Sequence, residues 1–214
     1  LERQALIELS KARETENSTL EFLASTAQNA TESSDFVRQA SAAYRTPVDY
    51  GIGGGLGNNL QKVAALIAAG MPTRLYYVTY AGNSFDTHVQ QADLHSRLLM
   101  YTADAVRGFM EDIKRLGRAD DVAVMMFTEF GRRVEENGSL GTDHGTATPM
   151  FIFSKGIKPG LYGRHPSLTD LDDGNMKMTT DFRRVYATVI KEWLGYDDTQ
   201  AVLKGKFDPL GVFA

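Results

Sequence analysis

The sequence predicts an α/β domain, a layered sandwich with a mostly parallel sheet flanked by helices. Three observations carry that expectation. Two near-continuous apolar runs, "DDVAVMMFTEFG" and "PMFIFSKG", have strand length and suit strands covered on both faces. Between such runs lie longer segments whose apolar residues recur every three or four positions, the spacing of one helix face. Glycines follow these periodic segments where a helix would stop.

The elements follow in order. Residues 1–34 read as a helical, loosely packed segment, with apolar spacing at Leu1, Ala5 and Leu9 and few bulky apolar side chains after them. Ser34 is placed to cap a short helix that ends near Pro47. The glycine cluster from Gly51 to Gly57 lacks the G-x-G-x-x-G spacing and follows no strand, so it reads as a flexible turn, not a dinucleotide site. A helix is expected from Asn59 to Ala69, with Leu60, Val63 and Ile67 on one face and Gly70 at its end. Arg74–Tyr80 is β-branched and aromatic, the composition of a strand. A long helix should span Ala92 to Leu116 and stop at Gly117. Its face is formed by Leu94, Leu98, Tyr101, Ala105, Phe109, Ile113 and Leu116. The last helix carries Phe182, Val185, Val189, Ile190 and Trp193, with Thr179 or Thr180 as its cap and Gly195 as its stop.

Composition removes several functions. There are 23 Lys and Arg against 27 Asp and Glu, a net charge of −4, so the basic excess of a nucleic-acid binder is missing. No cysteine is present, which excludes disulfides, thiolate zinc sites and cysteine nucleophiles. No apolar run approaches the ~18 residues of a membrane span.

Chemistry is expected beyond strand ends, where open parallel sheets place their ligands. After Arg74–Tyr80 comes "SFDTH" with Asp86 and His88. After the Val122–Phe127 run comes "TEFGRR" with Glu129, Arg132 and Arg133. "GTDHGT" then brings Asp143 and His144 ahead of the next strand. Asp86 and His88 are two apart, so an extended backbone points both to one side. Carboxylate oxygens and neutral imidazole nitrogens are the donors that divalent metals take. Such a metal lowers the pKa of a bound water or polarises an ester oxygen. Arg132 and Arg133 offer a bidentate fork for phosphate or sulfate. Against this, Asp, His and Asn are ordinary loop residues, and each short motif alone is weak. His95 and His165 read as surface residues, Asp181 as first-turn helix chemistry, and the N-x-[ST] triplets at Asn17, Asn29 and Asn137 as chance.

The ordered series "FDTH", "TEFGRR", "GTDHG" and "TDFRRVYATVIKEWLG", over roughly residues 35–196, resembles the bacterial family called domain of unknown function 1501. By resemblance that family sits in the alkaline phosphatase-like superfamily with sulfatases and cofactor-independent phosphoglycerate mutases. The resemblance implies an α/β sandwich over 35–214, incomplete at its N-terminus, with metals at strand ends (zinc, manganese, magnesium or calcium). It implies that Asp86 and His88 are ligands, that His144 is the lone histidine before the final core strand, and that Asp143 either assists it or shapes the loop. Glu129 sits where relatives carry Asp-His, and Phe130 stands in place of that histidine. The superfamily's Ser, Thr or modified Cys nucleophile has no counterpart here, and Ser10, Ser18 and Thr19 follow no strand. Asp86, His88 and His144 are thus expected to hold one metal, Glu129 to contact a second, and Arg132 or Arg133 to hold the anion. The expected activity is hydrolysis of a small phosphate or sulfate ester, or of a related anion. The alternative is a lapsed binding or structural module. Pairing into a homo-oligomer is expected from exposed apolar edges. Export, often by a twin-arginine signal in the family, is implied by resemblance alone.

Overall fold

A computed structural model describes residues 17–52, 55–80, 82 and 84–214. The expected apolar face at Leu1, Ala5 and Leu9, like Ser10, lies outside the described residues. The first described element is helix α1, Ser18–Ala43, capped by Asn17, whose side chain accepts from the backbone N–H of Thr19 (3.0 Å) and Leu20 (3.2 Å). Ser34 is therefore interior to a helix, not its cap. No glycine or proline interrupts the run. Its Thr26 and Thr31 hydroxyls donate to the carbonyls four residues back, Phe22 and Ala27, and so stay within the helix. α1 buries none of its residues, and Leu20, Phe22, Leu23 and Phe36 stay exposed.

Helix α2, Gly55–Ala68, and helix α3, Gln91–Arg115, form the core together. Leu56, Leu60, Val63 and Ile67 of α2 meet Val106, Phe109 and Ile113 of α3, with Ala64 and Ala105 between them. The small alanines let the axes approach closely, and the larger apolar side chains fill the flanks. Both helices stop at glycines with positive φ, Gly70 at 75° and Gly117 at 72°, a backbone that glycine adopts without steric penalty. The expected glycine turn is partly helix, since Gly55 and Gly57 belong to the first turn of α2. A Cβ on Gly57 would lie 2.9 Å from the Tyr50 carbonyl oxygen, and one on Gly108 would lie 2.5 Å from that of Asp49. Glycine at both places lets Tyr50 sit between the two helices.

Arg74–Tyr80 forms no strand. Its burial alternates, with Tyr76, Val78 and Tyr80 half-buried against the α2–α3 core and the residues between them exposed. Its composition predicted a strand, but a strand also needs a hydrogen-bonded neighbour in register, and none is assigned here.

The paired strands are β1 (Ala123–Met126), β2 (Gly131–Glu136), β3 (Thr142–Gly145), β4 (Phe151–Ser154), β5 (Leu171–Asp172) and β6 (Asn175–Met176). They form three two-stranded antiparallel ladders, β1–β4, β2–β3 and β5–β6. The chain is thus mixed α/β, and among the described residues no parallel pair occurs where a mostly parallel sheet was expected. An apolar run reports that a strand is covered; it says nothing of the direction of its neighbour. In β1–β4, Val124 stands opposite Phe153 and Met126 opposite Phe151, cross-strand pairs that also account for the apolar sequence.

Helix α4, Phe182–Thr188, continues into a π-helical turn, Val189–Trp193, and ends before Gly195 at φ 70°. Asp181 is its cap, accepting from the N–H of Arg183 at 2.9 Å, so the cap lies one or two residues beyond the expected Thr179 or Thr180. A short helix α5, Thr199–Leu203, follows. Glu192 accepts from the backbone N–H groups of Gly211 and Phe213, and Trp193 packs on Phe213, fastening the last residues.

Candidate metal centre

The segment ahead of α3 carries Asp86 and His88, and the β2–β3 hairpin carries His144. Hydrogen bonds hold the two against each other. The hairpin loop takes the backbone of the α3 entry: Gln90 N–H donates to Ser139 and Gln91 N–H to Leu140. The Gln91 amide donates to the carbonyl and hydroxyl of Thr87 at 2.9 and 3.0 Å, while its oxygen accepts from Thr142 Oγ1 at 2.8 Å. The fit is tight at Gly141, where a Cβ would lie 2.1 Å from the His88 carbonyl oxygen. In the hairpin Arg132 stands opposite His144 and Gly131 opposite Gly145, which puts His144 on the side facing residue 86.

Three side chains converge as a result. The Asp86 Oδ1 lies 3.0 Å from His88 Nε2 and 2.7 Å from His144 Nε2. Ligand atoms of Asp86, His88 and His144 all fall within 4.8 Å of one another, a spacing that could hold a metal ion. Hydrogen bonds from His144 and His88 hold the Asp86 carboxyl below its usual range. An ionised carboxylate only accepts, so each ring donates its Nε2–H to one shared oxygen. With each ring in the Nδ1–H tautomer instead, the same atoms are one carboxylate and two imidazole lone pairs facing a common point. That set fits zinc and manganese in donor type.

The His144 ring has a fixed bed. Phe130 stacks on it with centroids 3.8 Å apart and planes at 12°, and the Arg132 guanidinium carbon lies over the Phe130 ring at 5.2 Å from its centroid. Arg132 is otherwise spent on backbone, donating to the carbonyls of Thr142 (2.7 Å) and Phe85 (2.6 Å). Burial draws its guanidinium below the usual value, against the pull of Asp86 and Asp143.

The other expected residues are not members of the trio, and only Asp143 is placed beside it by a close contact among the described residues. Glu129 is exposed and touches only the Thr128 hydroxyl, at 3.5 Å, among its recorded hydrogen bonds. Arg133 lies 3.8 Å from Asp173. Asp143 is beside the trio: its Oδ1 is 3.8 Å from His88 Nδ1 and accepts from Asn137 Nδ2 at 3.0 Å, which holds its carboxyl low. His95, expected at the surface, is half-buried with its ring edge-on to Phe85, and its Nδ1 is buried without a hydrogen-bond partner. His165 is exposed, as expected.

Sequence reasoning missed Asn137, Gln91 and the ring bed role of Phe130. The signal for Asn137 was present: Asn-Gly between two polar-alternating runs marks a hairpin. An open hollow of about 610 Å³ is lined by Asp86 and His88 together with Val89, Leu94 and Leu98. A larger apolar groove of about 1000 Å³ between α3 and the β1–β4 pair includes none of the trio. Among the described residues no helix is long and apolar enough to cross a membrane.

The chain belongs to the family described as "Protein of unknown function (DUF1501)", whose model matches residues 3–207. No match was found among curated proteins or among solved structures.

Proposed function

We propose that this member of the family is a metal-dependent hydrolase of small phosphate or sulfate esters, or of related anions, on an alkaline phosphatase-like fold. One observation carries the reading: Asp86, His88 and His144 bring an oxygen and two nitrogens to one exposed point from segments up to 58 residues apart. Three protein ligands with open positions are the pattern of a catalytic rather than a structural zinc site. A divalent ion there supplies a water of lowered pKa or charge stabilisation of an ester oxygen. The chain's own residues hold and aim the ligands. Gln91 and Asn137 fix the loop that carries Asp86 and His88, and Phe130 sets the plane of His144. The hollow beside Asp86 and His88 gives an ester room to approach. Arg132 already serves two carbonyls, which leaves Arg133, ion-paired with Asp173 at 3.8 Å, as the arginine to meet an anion.

Phe130 also favours a second reading. The resemblance expects a histidine there, and its stacking role supports a single metal or a lapsed, purely binding site. Metal content and hydrolysis of 4-nitrophenyl phosphate and sulfate, measured with zinc and with manganese, separate the readings. Turnover that disappears with bound metal in a His88→Ala, His144→Ala double variant supports the enzyme. Bound metal without turnover supports the binding module. Full turnover in the double variant sinks the site.

A further inference from the structure

We propose that Asp143 and Asn137 are positioning residues for His88, so that Asp143 serves a bound cation through the imidazole and is not itself a ligand. This rests on the metal reading of the trio. Asp143 was one of the expected ligands, yet its carboxylate lies on the far side of the His88 ring. His88 turns Nε2 toward Asp86 at 3.0 Å and Nδ1 toward Asp143 at 3.8 Å. A histidine that gives one nitrogen to a metal needs an acceptor for the N–H on the other, most often a carboxylate. Asp143 is the carboxylate in that direction.

Asn137 holds the arrangement together. Its Nδ2 donates both to Asp143 Oδ1 (3.0 Å) and to the backbone carbonyl of His88 (3.2 Å). Its Oδ1 accepts from the N–H groups of Ser139 (2.9 Å) and Gly141 (3.1 Å). With both ends of the amide engaged, Asn137 cannot swing without breaking the hairpin turn. One side chain therefore fixes the main chain of the ligand residue and the carboxylate behind its ring. Gly141 makes this possible, since a side chain there would strike the His88 carbonyl oxygen.

The test is calorimetric titration of the full chain with zinc and with manganese, paired with X-ray absorption to count imidazole and carboxylate ligands. Asp86→Ala is the ligand control and should abolish binding. Asp143→Ala and Asn137→Ala should each weaken affinity about 10- to 100-fold with the ligand count unchanged. Asp143→Asn, which keeps an acceptor oxygen, should restore most of that loss and guards against misfolding. Loss of one carboxylate from the absorption spectrum of Asp143→Ala would make Asp143 a ligand and overturn the proposal. So would wild-type affinity in both alanine variants. A wild-type chain that binds neither metal removes the metal reading itself, and with it any positioning role.

Discussion

Asp112 and Asp86 each gather polar side chains around one carboxylate, in very different settings. Asp112 is fully buried on α3. Its Oδ2 accepts from the hydroxyls of Tyr44 (2.8 Å) and Tyr50 (2.7 Å), and its Oδ1 from Thr46 Oγ1 and Arg115 Nε, both at 2.8 Å. Each oxygen has two donors, which fills the capacity of a carboxylate. Burial would raise the Asp112 pKa, but the bonds from Tyr50, Thr46, Tyr44 and Arg115 outweigh it and hold the group below its usual range. Burial and the neighbouring carboxylate push the Tyr50 phenol well up. Asp86, in contrast, is exposed and has two imidazoles crowded on a single oxygen. A saturated carboxylate ties the 44–50 segment to α3 and has nothing left to offer. An open one beside two exchangeable nitrogens can receive a cation.

The largest effect should come from removing Asp112. Asp112→Ala leaves buried hydroxyls and a guanidinium without their acceptor and should cost about 3–5 kcal/mol of unfolding free energy, read from urea denaturation. Asp86→Ala should leave the same quantity nearly unchanged, as most surface changes do. Comparable losses for the two would erase the contrast. Next in size is stabilisation by metal. Zinc or manganese at about 100 times its dissociation constant should add about 2.7 kcal/mol to the wild type and nothing to Asp86→Ala. A gain that survives in Asp86→Ala would put the ion elsewhere. The smallest is an acid effect. A carboxyl lowered in the folded state stabilises it fully above the unfolded-state pKa, about 3.9, and loses that contribution as pH falls through the folded value. The stability gap between wild type and Asp112→Asn should therefore be constant near neutrality and shrink below about pH 4. A gap that widens on acidification would mean that Asp112 is not held charged.

The helices were legible because their spacing is a property of the chain alone. Leu60, Val63 and Ile67, and Ala105, Phe109 and Ile113, point to the core where their periodicity put them. The sheet was less legible because pairing is a relation between segments. Nothing within Arg74–Tyr80 shows whether a neighbour will bond to it, and nothing in "VMMF" fixes the direction of "FIFS". The trio was found as separate loop residues, since Asp and His beside Gly are visible in the sequence. Their grouping depends on a hairpin that was read as loop, so Glu129 and Asp143 could not be told from true partners of Asp86. Asn137 was hidden for a related reason. Its role lies in four hydrogen bonds that exist only after the hairpin closes.

Asn137 also has a chemical lifetime. It precedes Gly138, a residue without a side chain to obstruct attack of its backbone nitrogen on the Asn137 amide carbon. That attack expels ammonia and leaves a succinimide, which water opens to aspartate or isoaspartate. Either product replaces the Nδ2 donor with an acceptor facing both the Asp143 carboxylate and the His88 carbonyl. The hydrogen bonds that now restrain the amide slow that reaction, so the closed hairpin protects the residue on which it depends. Stored protein would age fastest where the hairpin opens, and peptide mapping at residue 137 would date the loss of the site.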